Sequence, residues 1–369
     1  MEQAPRSPVP PPAEIPAGGS LPRPTRLPLY LALAYVVLIS YASLYPLANW
    51  RDLGVSPLAF LDAGWPRYWT VFDLSINVLA YLPLGFLLTL ALRHIPGGGW
   101  TAAIVALLLG SLLSFSMESL QTWLPARVPS NLDLACNALG TAIGTVVALW
   151  NGKRIFRRIG QLQQGLLAPI AHAEVGLVLL GTWLLTQLSP ETLLFGTGDL
   201  RNVLGITPAV PYAAPSFFVL ETCVIACNTL VIGLFARTLL ADRTSMHLVL
   251  VAFFVLALAI RTLAAAVLVA PHDAFAWLTP GARLGLLIGG VLLSLMLLLP
   301  ASWRVALAGL ALLAGTALVN LTPANPYSEA ALAAWRQGHF LNFNGLTRWV
   351  ASLWPFVALP YLTAVGRRL

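Results

Sequence analysis

The stretch MHLVLVAFFVLALAIRTLAAAVLVA, residues 246–270, decides the fold class. Its 25 residues hold one formal charge, Arg261, and show no alternation of apolar with polar positions. A barrel strand would alternate and end after about ten residues. A helix satisfies its own backbone hydrogen bonds and needs roughly 20 residues to cross a hydrocarbon core about 30 Å thick. The stretch therefore reads as a transmembrane helix. Nine more apolar runs lie near 28–47, 72–92, 100–122, 132–150, 166–188, 214–237, 281–299, 302–321 and 346–365. The expected fold is an all-α, polytopic membrane bundle of about ten helices.

Composition agrees with this reading. Of 369 residues, 58% are hydrophobic and 9% charged, against roughly 25% charged in soluble proteins. Such a chain could not clothe a soluble surface without large apolar patches. A cytosolic enzyme, a secreted disulfide scaffold and a nucleic-acid-binding domain are thereby excluded. The net charge of +7 comes from 20 Arg and Lys153, which sit in short connectors and act as orientation signals. Cys136, Cys223 and Cys227 lie inside apolar runs and read as packing residues; no metal site and no cofactor are expected.

Residues 1–27 carry eight Pro and no apolar periodicity, the composition of a disordered arm preceding an uncleaved anchor. With the N-terminus inside, 13 Arg and Lys fall on the inner side and 7 on the outer. The bias places both termini in the cytoplasm, with Lys153 to Arg158 as its strongest contribution. The long connectors near 48–71, 189–213 and 322–345 then lie outside, carrying Trp50, Trp65, Trp69, Tyr212, Trp335, Phe340 and Trp349. Two readings of these aromatics stand: a belt at the headgroup level, or a cap over a headgroup or glycan site.

Polar residues collect in three stripes. Asp73, Asn77 and Tyr81 are successive i+4 neighbours on the second run. Ser111, Ser114, Glu118 and Gln121 line one face of the third, and Asp133, Asn137, Thr141 and Gly144 one face of the fourth. Arg127 lies in the turn between the third and fourth, where it is the cation expected to hold Glu118 and Asp133. Stripes at one depth should converge, because a carboxylate in hydrocarbon is costly unless paired or wet. The competing reading is polar glue between helices, where each contact contributes well under about 2 kcal/mol. Gly140 and Gly144 add a GxxxG pair for close packing.

The segments Asp73-x3-Asn77-x3-Tyr81-x-Pro83-Leu-Gly85 and Glu118-x2-Gln121-x5-Arg127-x5-Asp133-x3-Asn137-x2-Gly140-x3-Gly144 resemble the VanZ-like membrane family over residues 28–150. The resemblance implies a bacterial envelope protein of the inner membrane. The family is named for a member linked to low-level teicoplanin resistance. It also implies that Asp73, Asn77, Glu118, Gln121, Arg127, Asp133 and Asn137 are the site residues. Residues 28–150 would form a four-helix domain, and 151–369 a further membrane region of about six helices outside the resemblance.

A second polar set lies in that further region. Arg261 and Glu221 stand at similar depth on the seventh and sixth runs and are expected to pair. An intramembrane Arg is a functional residue by default, although a pair that only fixes helix packing fits equally. Three functions compete. The first is binding or handling of an envelope lipid, with Arg127 on its phosphate and membrane lipids as the partners. The second is transport through Glu221 and Arg261. The third is an enzyme acting on a lipid-linked substrate with Glu118 or Asp133 as general base, disfavoured because no nucleophile or metal set is recognisable.

Overall fold

The computed structural model describes residues 26–66, 68–170, 172–189, 192–205, 211–242, 245–268, 271–323 and 341–368. The Pro-rich arm, apart from its last two residues, lies outside these, as do Trp335 and Phe340. Among the described residues, ten helices of more than two turns follow one another: α1 (Leu27–Leu44), α2 (Val71–Ala91), α3 (Gly98–Gln121), α4 (Asn131–Leu166), α5 (Ala173–Thr186), α6 (Ala214–Leu239), α7 (Met246–Leu268), α8 (Pro280–Met296), α9 (Ala301–Leu321) and α10 (Leu341–Gly366). Single turns at Ala59–Asp62 and Arg201–Leu204 interrupt two connectors. Among the described residues the only extended pairing is an isolated bridge between Leu167 and Leu240. Eight of the ten helices are long and apolar enough to cross a membrane. The protein is a multi-pass helical membrane protein.

Each of the ten apolar runs is helical, and two differ from expectation in length. Helix α4 continues for 36 residues, through the basic segment Lys153 to Arg158. At 1.5 Å per residue it is about 54 Å long, well beyond the hydrocarbon core. The fifth run is consequently helical only from Ala173, for 14 residues, about 21 Å. What completes the crossing after α5 is irregular chain: Leu194 to Gly198 are buried among the helices rather than lying in an outer connector. Helix α8, at 17 residues, is the other short one.

Helices α2 and α4 touch backbone to backbone. A Cβ added at Gly85 would overlap the Thr141 carbonyl, one at Gly140 the Val78 carbonyl, and one at Gly144 the Leu82 carbonyl. Lipid supplies no hydrophobic force between helices, so such small-residue contact is what dispersion can use. Helix α1 closes this group through Ile39, packed with Tyr81 and Leu84 of α2, and Tyr35 Oη donates to the Ala80 carbonyl at 2.9 Å.

The remaining helices form a larger apolar cluster around α6. Two thirds of the α6 span is buried, against 28% for α7 at its edge. Gly281, Gly285 and Gly289 of α8 abut Glu221, Thr222 with Ile225, and Ala226 with Thr229 on α6, while Leu293 fills the notch at Gly233. Each step of four on α8 matches about four on α6, so the two run parallel and in register. The two groups of helices meet where the Arg26 amide donates to Glu174 at 2.9 Å and where Gly345 abuts Tyr41 and Tyr45.

Gly144→Leu must push α2 off α4 at a backbone atom that cannot yield. It is expected to destabilise the protein by about 1–3 kcal/mol or more. Gly181→Ala, facing open space within α5, is expected to be neutral or to stabilise by up to about 1 kcal/mol. Thermal unfolding in mild detergent reads both.

Candidate functional site

Four helix ends meet at one membrane face: the last turns of α1 and α3 and the first turns of α2 and α4. Each end leaves unpaired amides or carbonyls that hydrocarbon cannot satisfy. The polar stripes answer that need. At the start of α2, Asp73 and Thr70 form a reciprocal capping box, with Thr70 N to Asp73 Oδ2 at 3.1 Å and Asp73 N to Thr70 Oγ1 at 3.1 Å. At the start of α4, Ser130 Oγ accepts from the Leu132 and Asp133 amides at 3.2 and 3.3 Å. The Glu118 carboxylate, reaching over from α3, accepts from the Ser130 amide at 2.9 Å. A negative charge there also faces the positive end of the α4 dipole.

The C-terminal end of α1 is closed in the complementary way. Gln121 Nε2 donates to the Ser43 carbonyl at 3.0 Å. Arg127 donates from Nε to the Tyr45 carbonyl and from Nη2 to the Ala42 carbonyl, both at 2.9 Å. This corrects the expectation that Arg127 holds the carboxylates: among the described residues it makes no ion pair with Glu118 or Asp133. A guanidinium at the carbonyl end of a helix meets the negative end of the helix dipole, so this end of α1 attracts it much as a carboxylate would. Burial pushes the Arg127 pKa down, and the nearby Glu118 charge opposes that shift.

Two contacts run between helices. Asn77 Nδ2 of α2 donates to Asp133 Oδ1 of α4 at 2.9 Å, and Asn137 Nδ2 of α4 donates to Ser114 Oγ of α3 at 2.9 Å. The seven expected residues thus come together but divide into two layers. Glu118, Gln121 and Asn137 are buried, at 4%, 8% and 5% exposure. Asp73 is exposed, and Asn77, Arg127 and Asp133 are half-buried. Beneath them, Tyr81 is buried beside Ser114, and Asn137 Oδ1 is buried without a hydrogen-bond partner among the described residues.

The connector from α1 to α2 lies across this face. The Arg51 amide donates to the Trp123 carbonyl at 3.0 Å, and Asn131 Nδ2 donates to the Ala63 carbonyl at 2.7 Å. Phe60 is buried, with its ring centroid 6.1 Å from that of Phe115. Trp50, Trp65 and Trp69 on the same connector remain exposed.

Glu221 and Arg261 are not drawn to each other. Arg261 donates through Nη1 to the Ser189 carbonyl and through Nη2 to the Thr192 carbonyl. Glu221 instead lies against Gly281 and the Thr279 hydroxyl. Depth along the helix was a poor guide because the irregular segment after α5 reaches Arg261 from another direction.

That segment carries polar partners that sequence reasoning passed over. Thr197 Oγ1 donates to Asn228 Oδ1 at 3.0 Å, in the middle of α6. Asn320 receives the Leu200 amide at 2.9 Å and donates to the Gly198 carbonyl at 2.7 Å. Arg201 pairs with Asp199 at 2.5 Å and donates to the Thr322 carbonyl. Phe195 is wedged between Trp183 and Phe254, with centroids 5.2 and 5.7 Å away. The available signal was Asn228 itself, an amide deep in an apolar run.

Residues 29–156 match the family model described as VanZ/LLP1. Over these four helices the chain is similar to the VanZ/LLP1 family. No curated protein and no solved structure matches the chain. The VanZ-like region contains every residue of the capped face just described, and helices α5 to α10 lie beyond it.

Glu118→Gln keeps an oxygen for the Ser130 amide, whereas Glu118→Ala leaves that buried donor unsatisfied. The Ala variant is expected to cost about 1–3 kcal/mol and the Gln variant clearly less, read as melting temperatures in detergent.

Proposed function

We propose that the VanZ-like region binds the polar head of an envelope lipid at the face where α2, α4 and the α3–α4 turn meet. The observation that carries this reading is the half-buried Asn77–Asp133 bond, flanked by exposed Asp73 and covered on one side by the α1–α2 connector. Asp133 caps no helix end, and Asp73 uses only Oδ2 in its capping box, so lone pairs on both carboxylates remain for a ligand. Glu118, Gln121 and Asn137 form the buried frame behind them.

Two accessible carboxylates favour a head that offers hydroxyl or ammonium hydrogens over a bare phosphate. Arg127 Nη1, with no partner among the described residues, is the donor left for a phosphate on the same head. The Arg and Lys bias supports a position for this face in the outer half of the membrane. An outer-leaflet lipid handler there fits the family's link to teicoplanin tolerance.

Native mass spectrometry of the protein in mild detergent tests the reading, with total bacterial lipid as the probe. Wild type is expected to retain one lipid species that Asp133→Asn loses about tenfold, the weight of one charge-assisted hydrogen bond, while the melting temperature stays unchanged. Equal retention by both proteins, or none by wild type, would overturn it.

A further inference from the structure

A second feature lies in the other group of helices, outside the residues matched to the family. Between α7 and α8 runs an apolar groove of about 320 Å³. Leu250, Phe254 and Leu258 form one wall, Gly290 and Leu297 the other, and Phe195 lies at its inner end. The two hydroxyls on its surface are satisfied by their own helices: Thr229 donates to the Ile225 carbonyl at 2.8 Å and Ser294 to the Gly290 carbonyl at 2.9 Å. The remaining polar side chain, His247, is exposed at the start of α7; beyond it the groove has no unmet polar group, so it stays dry and takes hydrocarbon.

Its length suits one leaflet. From His247 to Leu258 it follows α7 for eleven residues, about 16 Å, half of a core about 30 Å thick. It begins at the membrane end shared by the last turn of α6, the first turn of α7 and the last turn of α8.

That end is basic. The in-register packing of α8 on α6 sets Leu293 at Gly233, so Leu297, one turn on, stands level with Arg237. Arg237 pairs with Asp242 at 2.6 Å, and that hydrogen bond holds the exposed Asp242 carboxyl below its usual range. Arg304, at the start of α9, lies within electrostatic range of both. Its side chain donates no hydrogen bond among the described residues, and its buried Nε has no partner there. One carboxylate therefore faces two guanidiniums, and the side chain of the second is uncommitted at the membrane end where the apolar groove begins.

We infer that this groove holds one acyl chain of an anionic phospholipid, with the lipid phosphate on Arg304. The site is separate from the capped face of the VanZ-like region, to which α6 is joined at its far end: the Ala168 amide donates to Leu239 O at 2.7 Å and the Ala241 amide to Leu166 O at 2.8 Å. The lipid belongs to the leaflet opposite the α2–α4 face.

The test is native mass spectrometry of the full chain equilibrated with equimolar phosphatidylglycerol and phosphatidylcholine of identical acyl chains. Wild type is expected to retain one phosphatidylglycerol in preference. Arg304→Gln, a change at the helix start that leaves the core intact, should reduce that preference about fivefold, and Arg304→Lys should keep most of it. Gly290→Phe, whose side chain enters open space, should abolish retention of both lipids. Asp133→Asn should leave all of this unchanged, which separates this site from the face on α2 and α4. No preference in wild type, or a preference that survives Arg304→Gln, would overturn the inference, as would wild-type retention by Gly290→Phe.

Discussion

Helix ends packed together at a membrane face must have their backbone groups satisfied by protein, because hydrocarbon offers nothing. The VanZ-like region is organised around that constraint. Asp73, Glu118 and Ser130 serve amide ends, while Gln121 and Arg127 serve carbonyl ends. The capping is reciprocal between helices: α3 caps α4, and the α3–α4 turn caps α1. Removing one member therefore loosens two elements at once. Only after this is met does any polar group remain, and the remainder is small: Asn77, Asp133, Oδ1 of Asp73 and Nη1 of Arg127.

What lets the capped ends converge is the close approach of α2 and α4. With backbone against backbone at Gly85, Gly140 and Gly144, the first turns of the two helices are near enough for Asn77 to reach Asp133. The second group of helices uses the same device in another direction. Gly281, Gly285 and Gly289 let α8 lie along α6, and the parallel register brings Leu297 level with Arg237. In both cases a glycine ladder sets which polar groups become neighbours, though neither ladder carries polar atoms itself.

The apolar runs were legible because a membrane helix is written in composition, and all ten are helical. Their lengths were less so. The basic segment Lys153 to Arg158 looked like a terminator by charge, yet a helix leaving the hydrocarbon meets no penalty for charge, and α4 continues to Leu166. The irregular segment at Leu194 to Gly198 was read as connector because it lacks helical period; its burial depends on Asn228, Asn320 and Ala351, far away in sequence. The convergence of the three polar stripes was legible from their i+4 spacing. The partners were not. Charge suggested Arg127 to carboxylate and Arg261 to Glu221, and sequence alone gives backbone carbonyls no weight as competitors.

Those competitors determine how this chain distributes charge. Arg127, Arg201 and Arg261 all donate to main-chain carbonyls at helix ends or irregular segments. A guanidinium can serve two or three such acceptors in a fixed fork, which an ammonium cannot, and 20 of the 21 basic residues are Arg. With guanidiniums so committed, the carboxylates of the α2–α4 face keep part of their negative charge exposed. At the opposite end of α6, two guanidiniums share one carboxylate. The molecule thus presents an acidic, amide-bearing opening in one half of the membrane and a basic groove mouth in the other. The two proposed sites would therefore offer a lipid head charge of opposite sign.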